Sequence, residues 1–467
     1  MKSHKLFVAW LWLTLLATCC LATTLSAQTR TLRIVTYNIE ADVGVTTPLP
    51  GLIAPPGNPS NVQAGGVLEG IGEEIVGNDP AQPLDILALQ ETTSNPITVA
   101  PIVTGLNSFY GVTGMYASSS YQATQFGGSA NNGSGNGPNA LVYNMKTVQL
   151  LASVPVDPPG GIGNLGSASG EYREVMRYEF APAGVAPGVT NEFYIYVSHY
   201  KASTGTANQN YRNGEAKIIR NDEASNLPAT ARVLYVGDYN VDNSGEPMYQ
   251  TISSNAAPNG IHQGQGIDPL NPTDNPNINW STSTTDTNLL VILTEQSYNL
   301  EYRDDLQVMT TNVYYGADGG LKYVPGTYHA FGNNGTTPYL GTISSRANTA
   351  LNNRLVTNAP TFISAAQLYL DLTDASDHLP VVADYTIPLL APVISSFNVA
   401  GTNLVLNVAN CATGAVFTVL MSTNLALTLV NWTALATSTA TNGSFTFTAT
   451  NAVDPAAFGR FYLLQEK

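Results

Sequence analysis

The sequence predicts a layered α/β domain followed by a small all-β domain, and three observations predict it. A β-type run (Thr31–Tyr37), an amphipathic helical stretch (Val67–Val76) and a second apolar run (Leu84–Leu89) occur in succession near the start of the chain. That is the βαβ order of a layered α/β fold. Several later apolar runs stop abruptly at a polar pair instead of at an ordinary turn. From Val393 onward the chain changes to alternating β segments separated by Thr, Asn and Gly, the pattern of a small β-sandwich.

The 467 residues give room for a large core and two domains. Met1–Ala27 carries Lys2 and Lys5, the apolar run Leu6–Leu16, then the small residues Ser26 and Ala27. This is the layout of a secretory leader, so the expected organisation is a signal peptide over 1–27, an α/β domain over 28–388 and a β-rich domain over 389–467. A secreted or periplasmic location follows from the leader. Two of the three cysteines lie within it and Cys411 stands alone, so no intramolecular disulfide is expected. No later apolar run is long enough to span a bilayer, and stable membrane insertion is not expected. Charged residues make up 11% of the chain and the formal net charge is −15. So acidic a protein is no passive binder of nucleic acid. It can act on phosphate esters only with a bound cation to offset its own carboxylates.

Taken in order, Thr31–Tyr37 reads as a strand ending at Asn38, and Val67–Val76 as a helix. Glu69, Glu73 and Glu74 lie mostly off its apolar face and are expected to be solvated. Leu84–Leu89 is a buried strand ending in Gln90-Glu91. Ala140–Tyr143 and Thr147–Leu151 read as paired strands, and Val175–Phe180 and Glu192–His199 as two more. Arg212–Leu227 is expected to be a helix that Pro228 stops. Val233–Val236 is a buried strand running into Gly237, Asp238, Tyr239 and Asn240, where the glycine permits a sharp turn or a close backbone approach. Asp238 and Asn240 alternate along the strand extension and would point to one side. Ala256–Thr285 is expected to be irregular. Leu289–Leu293 and Leu306–Thr310 resume strand character, Asp377–Tyr385 closes the domain, and Pro388–Pro392 is a linker. In the β-rich tail the charged residues are Asp454, Arg460, Glu466 and Lys467. With no catalytic grouping there, its expected role is binding to a cell surface or another protein.

One pattern recurs. A buried strand ends, and a metal-type or proton-transfer residue follows at its carboxyl end, where open α/β sheets place ligands. The instances are Asn38, Gln90-Glu91, Ser198-His199 and Asp238-Tyr239-Asn240. Ser376-Asp377-His378 instead precedes a strand. Singly, such residues are commonly structural histidines and surface acids. Together, in a chain this poor in charge, they point to chemistry. Oxygen ligands and water suit Mg²⁺ or Mn²⁺, and Cys and His are too few for a zinc cage.

The ordered motifs TYNIE, LALQE, YVSHYKA, VGDYN and SDHLP resemble the endonuclease/exonuclease/phosphatase superfamily over about Thr31–Thr386. The resemblance implies a four-layer α/β sandwich with two mixed sheets packed face to face. It implies Glu91 as the principal metal carboxylate, Asn38 beside it supporting metal or water, and Asp377 as a further metal-proximal acid. Asp238 would orient or deprotonate the attacking water, and Asn240 would contact the scissile phosphate. His199 and His378 would stabilise the transition state or move protons, with Asp305, in Arg303-Asp304-Asp305-Leu306, hydrogen-bonded to His378.

Three weaker readings stand beside these. Arg173 and Arg177 are candidate phosphate ligands on a strand, with ion pairing as the alternative. His329 is a candidate cleft residue. Lys201, Arg212, Lys217 and Arg220 form either a phosphate track or a solvated helix face. No Lys or Arg occurs between Arg33 and Lys146, which argues against a tight grip on long DNA. The expectation is a secreted, Mg²⁺- or Mn²⁺-dependent phosphodiesterase whose first substrate class is nucleic acid. The alternatives are a phospholipid or small-molecule phosphoesterase, or a non-catalytic surface protein that keeps the fold.

Overall fold

The computed structural model describes residues 29–41, 50–53, 66–119, 124–125, 128–129, 138–156, 175–185, 187, 191–253, 264–270, 280, 293–296, 300–316, 320–333, 343, 348–356, 363–389, 393–411, 416–441, 444–452 and 460–466. The expected leader, Arg173, most of Ala256–Thr285 and the expected strand Leu289–Leu293, apart from its last residue, lie outside them. Two compact units form, one from Arg30–Ala183 with Pro187–Ile387, the other built on Pro388–Lys467.

The first unit contains strands β1 (Thr29–Asn38), β2 (Ile86–Gln90), β3 (Tyr116–Ser118), β4 (Ala140–Asn144), β5 (Val148–Val156), β6 (Val175–Pro182), β7 (Phe193–His199), β8 (Val233–Asp238), β9 (Gly266–Ile267), β10 (Asp305–Thr310), β11 (Lys322–Tyr323), β12 (His329–Ala330) and β13 (Val381–Pro388). Its main helices are α1 (Val67–Glu73), α2 (Ala100–Phe109), α3 (Thr206–Asn226), α4 (Pro247–Ser253) and α5 (Ala365–Ala375). One sheet runs β11-β13-β1-β2-β4-β3, with β12 also on β13; the other runs β9-β10-β8-β7-β6-β5. Each is mixed. The parallel pair is β1–β2 in the first and β7–β8 in the second, beside antiparallel neighbours.

Side-chain alternation explains the layering. Ile34, Ile86, Ala88 and Leu141 of the first sheet meet Met176, Ile195, Val197, Leu234 and Val236 of the second in one buried cluster. The opposite faces carry Val35, Tyr37, Leu87 and Leu89 against α1, α2 and α5, and Tyr196, Val233, Tyr235 and Val308 against α3 and α4. Helix, sheet, sheet, helix is the expected four-layer sandwich.

Several expectations need correction. Ala140–Asn144 and Val148–Val156 are not partners. The chain turns between them and passes from one sheet to the other, so β4 pairs with β2 and β5 with β6. The helix expected over Arg212–Leu227 begins earlier, at Thr206. Glu69, Glu73 and Glu74 are buried, not solvated. Glu69 accepts the Gly66 N–H at 2.9 Å and Glu73 the Ile363 N–H at 2.9 Å, while Glu74 pairs with His329 and Arg354, each at 2.8 Å. Each buried carboxylate thus has a donor, without which its burial would be prohibitive.

Arg33 anchors this region. It forms a two-pronged ion pair with Asp384, at 2.9 Å on each prong, and donates to the carbonyls of Ile71 and Glu74. Its backbone N–H donates to Asp85 Oδ2 at 2.7 Å. Burial pushes the Asp85 carboxyl up to about 7, against hydrogen bonds from Thr147 and Arg33 that lower it. The folded value therefore exceeds that of the unfolded chain, near about 4. The fold keeps a proton that the unfolded chain releases, so stability from this position is full below about pH 4 and falls as pH rises to about 7. Asp85→Asn removes that titration. Relative to the parent, its melting temperature is expected to climb between pH 4 and pH 8, by about 1.4 kcal/mol of stability per unit of pKa shift. A difference that stays flat with pH would refute this.

The second unit has two three-stranded antiparallel sheets. One contains β14 (Val393–Ala400), β15 (Asn403–Ala409) and β18 (Phe445–Ala449); the other contains β17 (Thr433–Thr439), β16 (Val416–Ser422) and β19 (Phe461–Glu466). Leu406, Val408, Phe417, Val419, Phe445 and Phe447 share one core, the arrangement of a small β-sandwich.

Candidate active site

The site is built where the carboxyl ends of the two parallel strand pairs meet. In the first sheet Asn38 ends β1 opposite Gln90, and Glu91 follows directly. In the second, Asp238 ends β8 between His199 on β7 and Asp305 on β10, each its register partner. Three of the expected site residues therefore lie in one row across three adjacent strands. Asn38 joins the two sheets by donating to Asp238 Oδ2 at 2.9 Å.

Asp238 is the centre of the arrangement. It is 1% exposed. Its Oδ2 also lies 3.3 Å from His199 Nε2 and 4.0 Å from His378 Nε2. Its Oδ1 accepts both the backbone N–H and the side-chain amide of Asn240, each at 2.9 Å. Burial pushes its carboxyl up to about 6; the His378 charge opposes this and Asp305 adds to it. A divalent cation beside it would pull the value back down.

His378 Nδ1 and Asp305 Oδ2 are 2.7 Å apart. Burial alone would lower the imidazole, but the charges of Asp305, Asp238 and Glu295 and the Asp305 hydrogen bond hold it well above its ordinary range. Its Nε2 is turned toward Asp238, Asn38 and Asp377, an acidic setting that favours the protonated ring. Ser376 fixes the approach by donating to the Asn38 carbonyl at 2.7 Å and accepting the His378 N–H at 3.0 Å. Thr294 Oγ1 accepts the N–H groups of Asp304 and Asp305, which sets the start of β10.

Glu91, His199 and Asp238 bring ligand atoms within 4.8 Å of one another, and His199 Nε2 lies 3.4 Å from Glu91 Oε1. Two carboxylates and an imidazole, largely buried together, suit a divalent metal. Glu40, Glu91 and Asn240, all just past strand ends here, have φ of 46°, 55° and 48°. Non-glycine residues avoid this region, and where they occupy it they cluster at functional sites.

The structure brings Asn38, Glu91, His199, Asp238, Asn240, Asp305, Asp377 and His378 into one neighbourhood, but with differences from the sequence reading. Asp377 groups with Glu295 and His378, not with Glu91. Asn38 turns its amide nitrogen to Asp238, and its Oδ1 accepts the Glu40 N–H at 3.1 Å, so it holds the carboxylate in place. Asn240 meets Asp238 not by strand alternation, since β8 ends at Asp238, but through a left-handed turn. Its amide donates to Asp238 and to the Tyr200 carbonyl, which makes it an orienter of Asp238.

Arg177 does not join the site. It sits in mid-strand opposite Tyr196, and its guanidinium pairs with Asp222 of α3, which Tyr196 also contacts through its hydroxyl at 2.6 Å. The Lys201–Arg220 stretch is no phosphate track. Arg212 is buried against Glu246 and Arg220 against the Thr251 and Ile252 carbonyls. His329 serves Glu74, and Asp242 lies 3.7 Å from Arg212. Glu295 and Asp304, which the motifs do not flag, lie against His378 and each other. The signal available in the sequence was the doubled acid of Arg303-Asp304-Asp305, where one acid was expected.

No family model and no curated protein matches the chain. Among solved structures, it is similar to the catalytic domain of human Nocturnin with bound sulfate, at 17% identity and TM-score 0.40, over 77% of this chain and 97% of that one. An endonuclease/exonuclease/phosphatase from Beutenbergia cavernae DSM 12333 is 14% identical at TM-score 0.37, over 93% and 100%. ANGEL2, a 2′,3′-cyclic phosphatase, in complex with adenosine-2′,3′-vanadate is 14% identical at TM-score 0.39, over 78% and 99%. At such identities and TM-scores the activities of those proteins are theirs and do not transfer to this chain.

Proposed function

We propose that the α/β unit is a divalent-metal-dependent phosphoric-ester hydrolase of the endonuclease/exonuclease/phosphatase type. The observation that supports it most is the convergence on Asp238 of Asn38, His199, Asn240 and His378. Glu91, with His199 and Asp238, would hold the cation. When bound, that cation offsets the charge of a phosphate and acidifies nearby water. Asp238, fixed by Asn38 and Asn240, orients the attacking water and accepts its proton. His378, kept protonated by Asp305, donates to the phosphoryl or leaving oxygen as negative charge develops. His199, if it does not hold the cation, would share that task.

Nucleic acid remains the first substrate class, but the fate of the arginines favours a short grip. Arg33, Arg212, Arg220 and Arg303 are buried in internal pairs. Arg177 and Arg354 also pair internally, with Asp222 and Glu74, so six of the described arginines are engaged within the fold, which favours a substrate held mainly at the scissile phosphate, as in a short phosphodiester or an exposed strand end. The leader supports export, and the β-rich unit would then serve as an attachment module.

The test is turnover of plasmid DNA, RNA, sphingomyelin and bis(p-nitrophenyl) phosphate in Mg²⁺, Mn²⁺ or EDTA. Metal-dependent hydrolysis of a phosphodiester is expected. Activity indifferent to EDTA, or none on any substrate, would overturn the proposal. For a cleaved DNA, log(kcat/KM) against log[salt] should have a slope of about −1 to −2, that is, one or two phosphate contacts. A slope several times steeper would overturn the short-grip reading.

A further inference from the structure

We infer that Thr294 is a positioning residue that holds Asp305 and His378 together across the two sheets. Asp305 opens β10 of the second sheet, and His378 lies just before β13 of the first. Their 2.7 Å contact joins segments 73 residues apart, and because the two belong to different sheets no ladder pairing sets it. One fully buried threonine reaches both segments. Its backbone N–H donates to the Tyr302 carbonyl at 2.6 Å, and its Oγ1 accepts the N–H groups of Asp304 and Asp305 at 3.2 and 3.1 Å. Its own carbonyl accepts the Leu379 N–H at 2.6 Å, and the next residue, Glu295, bridges to His378 itself. Thr294 thus grips the approach to Asp305 with three hydrogen bonds and the residue after His378 with a fourth.

The hydroxyl is what makes this residue specific. A threonine oxygen has two lone pairs, and both are spent on the N–H groups that fix where the Asp305 side chain begins. Valine has the same shape without the acceptor. It would orphan two buried N–H groups, which folded proteins seldom tolerate, so the start of β10 would shift to find other partners. Serine keeps the acceptor. Ser376 would still hold the His378 N–H from the other side, so the imidazole would stay in place but lose its fixed angle to Asp305. A misplacement of about 1 Å transmitted in this way can cost about 10²-fold in rate. Thr294 stands outside the ordered motif set, in the stretch Leu293-Thr294-Glu295-Gln296, and nothing in its residue type distinguishes it from other buried threonines.

The inference rests on the phosphoester-hydrolase reading for its kinetic test only. Thr294→Val is expected to lower kcat on bis(p-nitrophenyl) phosphate by about 10–10²-fold with KM unchanged, the mark of an interaction that counts only in the transition state. Thr294→Ser should restore kcat. Thr327→Val is the control for a merely structural hydroxyl, since Thr327 is also buried and its Oγ1 accepts the N–H of Asp384, the partner of Arg33, at 3.0 Å. It should lower the melting temperature and leave kcat, measured well below that temperature, unchanged. The second test needs no turnover. The proton on His378 Nδ1, held by Asp305, should give a far-downfield proton NMR resonance that is absent in His378→Gln. It is expected to move or vanish in Thr294→Val and to return in Thr294→Ser. In an active parent, an unchanged resonance or an unchanged kcat in Thr294→Val overturns the inference, and so does a loss that serine fails to restore. If Thr294→Val does not fold, Thr294→Ala carries the same measurements; if neither folds, the hydroxyl is structural and the inference falls. A parent that hydrolyses no phosphoester but shows a resonance dependent on Thr294 removes the hydrolase reading and leaves the positioning role standing.

Discussion

Asp238→Asn is expected to lower kcat by about 10²–10⁴-fold, the range for loss of a positioned proton acceptor. Two facts make this the largest expected activity effect of any single side chain. Asp238 is the group on which both sheets and both histidines converge. It is also a shared member of the metal-holding group and the proton-accepting group, so one substitution weakens both. The same change is not expected to cost much stability. Burial pushes the Asp238 carboxyl up to about 6, so the fold disfavours its charged form, and a neutral amide of equal size relieves that strain. Asn240 can still donate to the remaining oxygen, while the loss of the Asn38 hydrogen bond offsets part of that relief, so the net change in stability is small. The measurement is kcat on bis(p-nitrophenyl) phosphate at saturating Mg²⁺, beside the melting temperature. A loss of activity under about tenfold would remove Asp238 from the centre of the proposed mechanism. A large fall in melting temperature would instead show the carboxylate to be structural.

The contrast between Asp238 and Arg177 shows what the sequence could and could not disclose. Strand-end residues were legible because a buried strand has a fixed direction, and the first polar residue past its carboxyl end has few places to go. Asn38, Glu91, His199 and Asp238 all came from that rule, and the sheet register then aligned them. The four layers were legible for the same reason, since period-two apolar strands and period-3.6 helices dictate their buried faces. Ion pairing was not legible. Arg177 finds Asp222 45 residues later, Arg212 finds Glu246 34 residues later, and Glu74 finds His329 255 residues away. A charged residue reads as solvated until its partner is known, and the partner is a property of the fold. Glu295 escaped notice on the same ground. It reaches His378 through a bridge between segments far apart in the chain.

Gly237→Ala is expected to be the most damaging single-methyl change in the unit. Gly237 has φ of 142°, a region closed to most side chains, and a Cβ there would lie 2.0 Å from the Ser198 carbonyl oxygen. The obstruction is backbone on the register-paired neighbour strand, so no rotamer change relieves it. Backbone strain of about 1–3 kcal/mol adds to overpacking of about 1–3 kcal/mol, against a total domain stability of about 5–15 kcal/mol. Gly111→Ala is the control, because Gly111 also has positive φ (64°) but nothing within 4 Å of its missing Cβ. Its cost should be the backbone penalty alone, about 1 kcal/mol. The drop in melting temperature for Gly237→Ala should therefore exceed that for Gly111→Ala severalfold. Equal drops would mean that the close approach of β7 and β8 does not matter. The position of this glycine ties stability to chemistry. Any separation of β8 from β7 at Ser198 moves Asp238 away from His199 in the next register pair. Whatever fraction of Gly237→Ala still folds should then lose more activity than its thermal stability alone would account for, with kcat falling further than substrate affinity.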